Sequence, residues 1–116
     1  MKRSLIDIRV VDNGEADQSH PSTVVYLTGV LDISTIDELG TVVRPHLRTD
    51  AEVIVDLSGV TLCDSTGLGA VVTFERHARA AGCRFAVRSP QPHVAEVFSM
   101  TGIDQVVRVY SETVPP

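Results

Sequence analysis

Hydrophobic and polar positions change period several times along the chain, and each change predicts an element. From residue 4 to 11, Leu5, Asp7 and Arg9 alternate with Ile6, Ile8 and Val10, the period-two signature of a half-buried strand. Residues 12–22 form a polar connection containing Asn13-Gly14, His20 and Pro21. Residues 23–27 predict a second strand that ends at Thr28-Gly29, so the chain opens with a strand pair whose loop exceeds the minimal turn. Gly29-Val30-Leu31-Asp32 reads as a loop. Ile36, Leu39, Val42, Val43 and Leu47 then recur at helical spacing and predict a helix over 34–47. Thr35 and Glu38 are spaced as a capping box, and Pro45 is placed to bend that helix or end it early. Asp32 reads by default as a helix cap, as a binding-loop residue, or as both.

The stretch from 53 to 74 organises the rest. Val53, Ile54, Val55 and Leu57 make a short apolar run ending at Ser58-Gly59, which predicts a buried strand. Residues 60–63 are expected to cross a loop. Asp64 stands where an N-cap belongs, since its carboxylate can accept the free N–H groups of a first helical turn. Ser65 and Thr66 open the helix at its positive end. At about 100° per residue, Gly67, Ala70, Val71, Phe74, Ala78 and Ala81 share one core-facing stripe. Ser65, Leu68, Val72 and Arg76 fall together on another side. Apolar Leu68 and Val72 beside a serine hydroxyl fit a docking face, and equally a surface covered by a neighbouring loop or helix.

After this helix, Phe85 and Val87 alternate with polar neighbours over 84–88, a further strand. Ser89-Pro90-Gln91-Pro92 opens a short helix lined by Val94, Val97 and Phe98, with Gly102 placed as its C-terminal cap. Residues 106–109 give a last strand or short helix, and 111–116 a loose tail. Such alternation predicts an α/β fold: one domain spanning 1–116 with its core over 4–110, a small sandwich with a mainly parallel sheet of four to five strands, an N-terminal strand pair and three to four helices.

Composition narrows the function. With 43% hydrophobic and 22% charged residues in 116, the chain is globular and of single-domain size. A formal net charge of −5 argues against nucleic acid or an anionic membrane as the main partner. No run approaches the roughly 20 apolar residues of a membrane span. The Met1-Lys2-Arg3 start is not followed by an apolar signal-peptide region, which points to the cytoplasm. Two cysteines, Cys63 and Cys83, are too few for a disulfide scaffold and read as reduced core thiols.

Enzyme chemistry lacks its usual marks. Ser65 is not in a G-x-S-x-G elbow, and His20, His46, His77 and His93 are scattered without a spacing that would identify a base. No Walker loop, dinucleotide loop or metal-ligand cluster is present in the sequence. Gly67-Leu68-Gly69 lies inside a helix instead of before one. The chain is therefore expected not to be an enzyme, and to need neither metal nor cofactor.

At Asp64-Ser65-Thr66-Gly67-Leu68-Gly69 the sequence resembles the phosphorylation loop of bacterial anti-sigma factor antagonists of the STAS domain family. The preceding run from Val53 to Thr61 resembles the family's approach to that loop. Leu27-Thr28-Gly29-Val30-Leu31-Asp32, Ser89-Pro90 and Val97-Phe98-Ser99-Met100-Thr101-Gly102-Ile103 agree as well. The resemblance covers most of residues 23–110. It departs at one point, since the family's first loop commonly reads Gly-Glu-Leu-Asp and here Val30 stands in the Glu position.

The resemblance implies that Ser65 is the phosphoacceptor, with Thr66 a secondary candidate, and that Asp64 and Asp32 match the family's acidic residues before the serine and in the first loop. With the helix side read from spacing, the expected partner-binding residues are Asp32, Asp64, Ser65, Thr66, Gly67, Leu68, Val72 and Arg76. It implies an anti-sigma factor with serine kinase activity, which supplies the ATP, and a serine phosphatase that reverses the modification. The unphosphorylated form would bind the anti-sigma factor and free the sigma factor. Three other readings compete: a STAS-like regulatory or structural subunit of a membrane transport complex, a small-molecule or nucleotide sensor using the loops at Asp32 and Asp64, and a hydrolase using Ser65.

Overall fold

The structure, a computed structural model, describes residues 5–12 and 21–111. Strand β1 (Ile6–Asp12) pairs antiparallel with β2 (Ser22–Leu31). Then β2, β3 (Glu52–Cys63), β4 (Arg84–Arg88) and β5 (Arg108–Tyr110) follow one another in parallel, so all five strands lie in sequence order. The connections carry helices α1 (Ile36–Val43), α2 (Ser65–Ala81) and α3 (Pro92–Thr101), with short 3₁₀ turns at Arg44–His46 and Ile103–Gln105.

Crossovers of one hand between neighbouring parallel strands place their helices on one side of the sheet. Leu39 and Val43 of α1, Val71 and Phe74 of α2, and Val94 and Phe98 of α3 accordingly share a single core with Val25, Leu27, Val53, Val55, Leu57 and Val87. The opposite face of the sheet bears a smaller cluster, Val24, Ile54 and Ala86, flanked by Tyr26 and Tyr110. On that face the Arg88 Nε donates to Asp56 Oδ2 at 2.9 Å, and Arg88 Nη2 donates to the Tyr26 hydroxyl at 3.0 Å. Both charged partners are buried. Burial by itself would push the Asp56 carboxyl up. The hydroxyl and N–H of Ser58, followed by the Arg88 guanidinium, outweigh it and hold the carboxyl below its ordinary value.

The mainly parallel sheet, the N-terminal strand pair and the helix order match the expectation. Several bounds do not. Strand β2 continues through Thr28-Gly29 to Leu31, and β3 continues through the expected loop at 60–63 to Cys63. Pairing persists because β3 takes up one extra residue opposite Tyr26/Thr28 and another opposite Gly29/Val30. At the first point the Asp56 carboxylate accepts the Ser58 N–H, which turns the backbone within the strand. Ser58-Gly59 thus marks a shift of phase and not a stop, and Val60 beyond it is fully buried.

The first helix is shorter than 34–47. It ends at Val43, and Pro45 sits inside the 3₁₀ turn that follows, because its ring cannot accept the next helical turn. The capping box does not form. Thr35 is the N-cap residue, but its hydroxyl donates to the Val30 carbonyl at 2.8 Å and accepts the Asp32 N–H at 3.1 Å, tying the helix start to the end of β2. Gly102 closes α3 at φ 79°, a left-handed conformation glycine adopts without strain. The polar connection at 13–20, the Met1-Lys2-Arg3 start and the tail at 112–116 lie outside the described residues.

Candidate functional site

The site lies at the carboxyl ends of β2 and β3, where open α/β sheets place their function. Asp64 caps α2 in extended geometry, and its Oδ1 accepts the Gly67 N–H at 3.0 Å. The Asp64 N–H donates to the Leu31 carbonyl at 3.2 Å, which ties the two loops together. Gly67 closes the joint. A Cβ there would lie 2.5 Å from the Leu31 carbonyl oxygen and 3.1 Å from the Cys63 sulfur, so only glycine lets the helix start this close to the sheet. Ser65, the first residue of α2, is exposed as a result, while the residues on either side of it are held.

Thr66 is half-buried and faces a different way. It lines a groove of about 370 Å³ between α1 and α2 together with Ile36, Asp37, Arg44, Gly69 and Phe74. Asp32 is half-buried at the end of β2, and its Oδ1 accepts both the N–H of Ser34 at 2.9 Å and the Ser34 hydroxyl at 2.6 Å. That carboxylate therefore shapes the first loop locally and does not cap α1.

The side of α2 assigned to docking divides. Leu68 is only 8% exposed and packs in the main core, whereas Val72 is half-buried and Arg76 exposed. The physical reason is the close approach of Gly67 to the Leu31 carbonyl, which sets the first turn of α2 against the end of β2 and buries Leu68 next to it. The structure brings Asp32, Asp64, Ser65 and Gly67 to one end of the sheet and leaves Val72 and Arg76 further along the helix.

Sequence reasoning missed two exposed apolar residues at this end of the sheet. Ile33 is 74% exposed next to Asp32, and Leu62 is 49% exposed at the end of β3, where its Cα partner is Val30. Their neighbours signal them only after β2 and β3 are known to run this far. Two further residues were also missed. Gln91 Nε2 donates to the Ser58 carbonyl at 3.0 Å, and His93 Nε2 donates to the Thr61 carbonyl at 2.9 Å, so the start of α3 braces the strand that leads to Ser65. The Cys63 thiol is pushed up to about 11, by burial first and then by the charge of Asp64, which removes the thiolate needed for redox chemistry at neutral pH. Among the described residues no group of three or more His, Cys, Asp or Glu is placed to hold a metal ion. None of their helices is long and apolar enough to cross a membrane.

Known proteins share this fold. A Thermotoga neapolitana protein named as a candidate anti-sigma factor antagonist is 34% identical over 59 residues, 51% of this chain and 52% of that protein. The chain thus matches about half the length of such curated relatives. The crystal structure of an anti-sigma factor antagonist from Mycobacterium paratuberculosis shares the fold at TM-score 0.71 and 23% identity, over 92% of this chain and 86% of that one. The Bacillus cell fate determinant SpoIIAA in its phosphorylated form shares it at TM-score 0.64 and 19% identity, over 91% and 93%. The family model described as "Mlab, STAS domain" matches residues 15–109, and the chain belongs to the STAS domain family.

Proposed function

We propose that this chain is an anti-sigma factor antagonist acting in the cytoplasm, switched by phosphorylation of Ser65. The observation that carries the reading is Ser65, exposed at the first position of α2, at the same end of the sheet as the exposed apolar residues Ile33 and Leu62. The names of the relatives support the partner class. In the proposed cycle the unphosphorylated form binds an anti-sigma factor with serine kinase activity and releases the sigma factor. The partner uses ATP to modify Ser65, and a serine phosphatase restores the hydroxyl.

Charge makes this an interface switch. A phosphoryl group adds about −1.5 to −2 charges at neutral pH. At the N-terminus of α2 the free N–H groups tolerate that charge, so the fold persists. Its hydration resists burial in an interface, so the contact weakens. Losing one well-packed contact of about 3 kcal/mol lowers affinity about 100-fold.

The test is incubation with ATP and kinase-type anti-sigma factors, followed by mass mapping and binding. Phosphate on Ser65, absent in Ser65→Ala, together with lost affinity in the phosphorylated form, supports the reading. No phosphate on Ser65, or an affinity unchanged in the phosphorylated form, would overturn it.

A further inference from the structure

The groove between α1 and α2 holds a guanidinium that the fold positions and does not use. Asp37, Gly40 and Arg44 follow one another at steps of three and four residues, so they share one stripe of α1, and Asp37 and Arg44 line the groove. A Cβ built on Gly40 would lie 2.8 Å from Arg44 Nη1 and 2.9 Å from both Cζ and Nη2. These near-equal distances mean that the guanidinium lays its face on the bare backbone at Gly40. The N–H groups around its edge make no hydrogen bond or ion pair among the described residues. On the α2 side, Thr66 is half-buried, and its hydroxyl is likewise without a partner among them. Ile36, Ala70 and Phe74 make the rest of the lining largely apolar.

These groups specify an occupant. A planar fork of N–H donors suits a carboxylate, which it can hold through two parallel bonds. The apolar lining suits a short hydrocarbon body, and a volume of about 370 Å³ is on the scale of small-molecule sites. The Asp37 carboxylate has no partner among the described residues, and its charge in the same groove disfavours a dianion such as a phosphate monoester. A monoanion remains. Because Arg44 already rests on Gly40, it has less side-chain freedom to lose when the anion arrives.

We infer that the groove between α1 and α2 binds a small monocarboxylate with an apolar body, its carboxylate held by Arg44. Thr66 adjoins Ser65, so the occupant lies beside the proposed switch. The inference needs neither the modification nor the protein partner.

Titration of the whole, unmodified chain with sodium hexanoate, followed through backbone amide NMR shifts, tests the inference, with hexanamide as the uncharged match. Hexanoate is expected to give saturable shifts centred on Ile36, Thr66, Gly69 and Ala70, and to bind about tenfold or more tightly than hexanamide. Arg44→Gln removes that difference. Gly40→Ala puts a methyl group where the guanidinium rests, and only the far end of a flexible side chain must move. Its melting temperature should therefore hold or rise, as alanine favours a helix over glycine, while hexanoate binds about tenfold more weakly. Gly69→Leu fills the groove from a wall position with nothing within 4 Å, and weakens both ligands. The inference is overturned if no shift saturates, if the shifts centre elsewhere, or if hexanamide binds as tightly as hexanoate. It is overturned equally if hexanoate binding ignores both Arg44→Gln and Gly40→Ala. Since only the chain and a small acid are present, such a failure leaves the reading of Ser65 standing.

Discussion

Asp32 and Asp64 stand at the ends of neighbouring strands, each with a serine close behind, and they treat that serine oppositely. Asp32 captures Ser34, accepting its N–H at 2.9 Å and its hydroxyl at 2.6 Å. Buried Asp56 repeats the arrangement on Ser58 with the same two distances. Asp64 instead reaches forward to the Gly67 N–H, and adjacent Ser65 is left outside. A spacing of two residues folds the serine into an Asx turn, while a spacing of one at a helix start presents it. Both segments read as polar loops, and only the second offers a hydroxyl to another molecule.

The largest test of this contrast removes what holds the buried copy of the motif. Arg88→Met leaves the Asp56 carboxylate with Ser58 alone and is expected to cost about 3–5 kcal/mol in urea unfolding, since a buried charge loses its partner. The same pair sets an acid limit. The Asp56 carboxyl lies below its ordinary 3.8 when folded, so its contribution is full above that value and is lost as the pH falls through the folded one. Unfolding free energy should therefore fall below about pH 4, and less steeply in Arg88→Met.

Next in size is Gly67→Ala, whose Cβ meets the Leu31 carbonyl and should cost about 1–3 kcal/mol; a neutral result would mean the joint between α2 and β2 is looser than described. Asp64→Ala removes the cap of α2 and should cost about 1 kcal/mol. The smallest pair is the sharpest. Ser65→Ala should stay within about 0.5 kcal/mol of the parent by thermal melting, while Ser34→Ala, losing a hydroxyl bond at 2.6 Å, should cost about 1 kcal/mol. Equal costs would erase the distinction between a captured and a presented serine.

Much of this was legible in the residues. Periodicity located every helix, Asp64 announced the cap of α2, Pro45 its early stop in α1, and Gly102 the end of α3. What escaped depends on partners distant in sequence. Strand β3 outruns Ser58-Gly59 because β2 is beside it to pair with, and no local pattern reveals that. Thr35 abandons its capping box for the Val30 carbonyl, five residues back on another element. Leu68 lay beside Ser65 on a helical projection, yet the projection ignores how closely Gly67 brings the first turn to the end of β2. Ile33 and Leu62 passed unnoticed because an exposed apolar residue differs from a buried one only in its surroundings.

Gly69 stands one turn past Ser65, and a Cβ built there finds nothing within 4 Å. Unlike Gly67, it answers to no steric demand of its own chain. A larger side chain at this position would protrude from the groove wall without disturbing the core, so whatever it blocks or admits is registered wholly by the visiting molecule. One position in α2 can thus retune whom the surface accepts while the architecture beneath stays untouched.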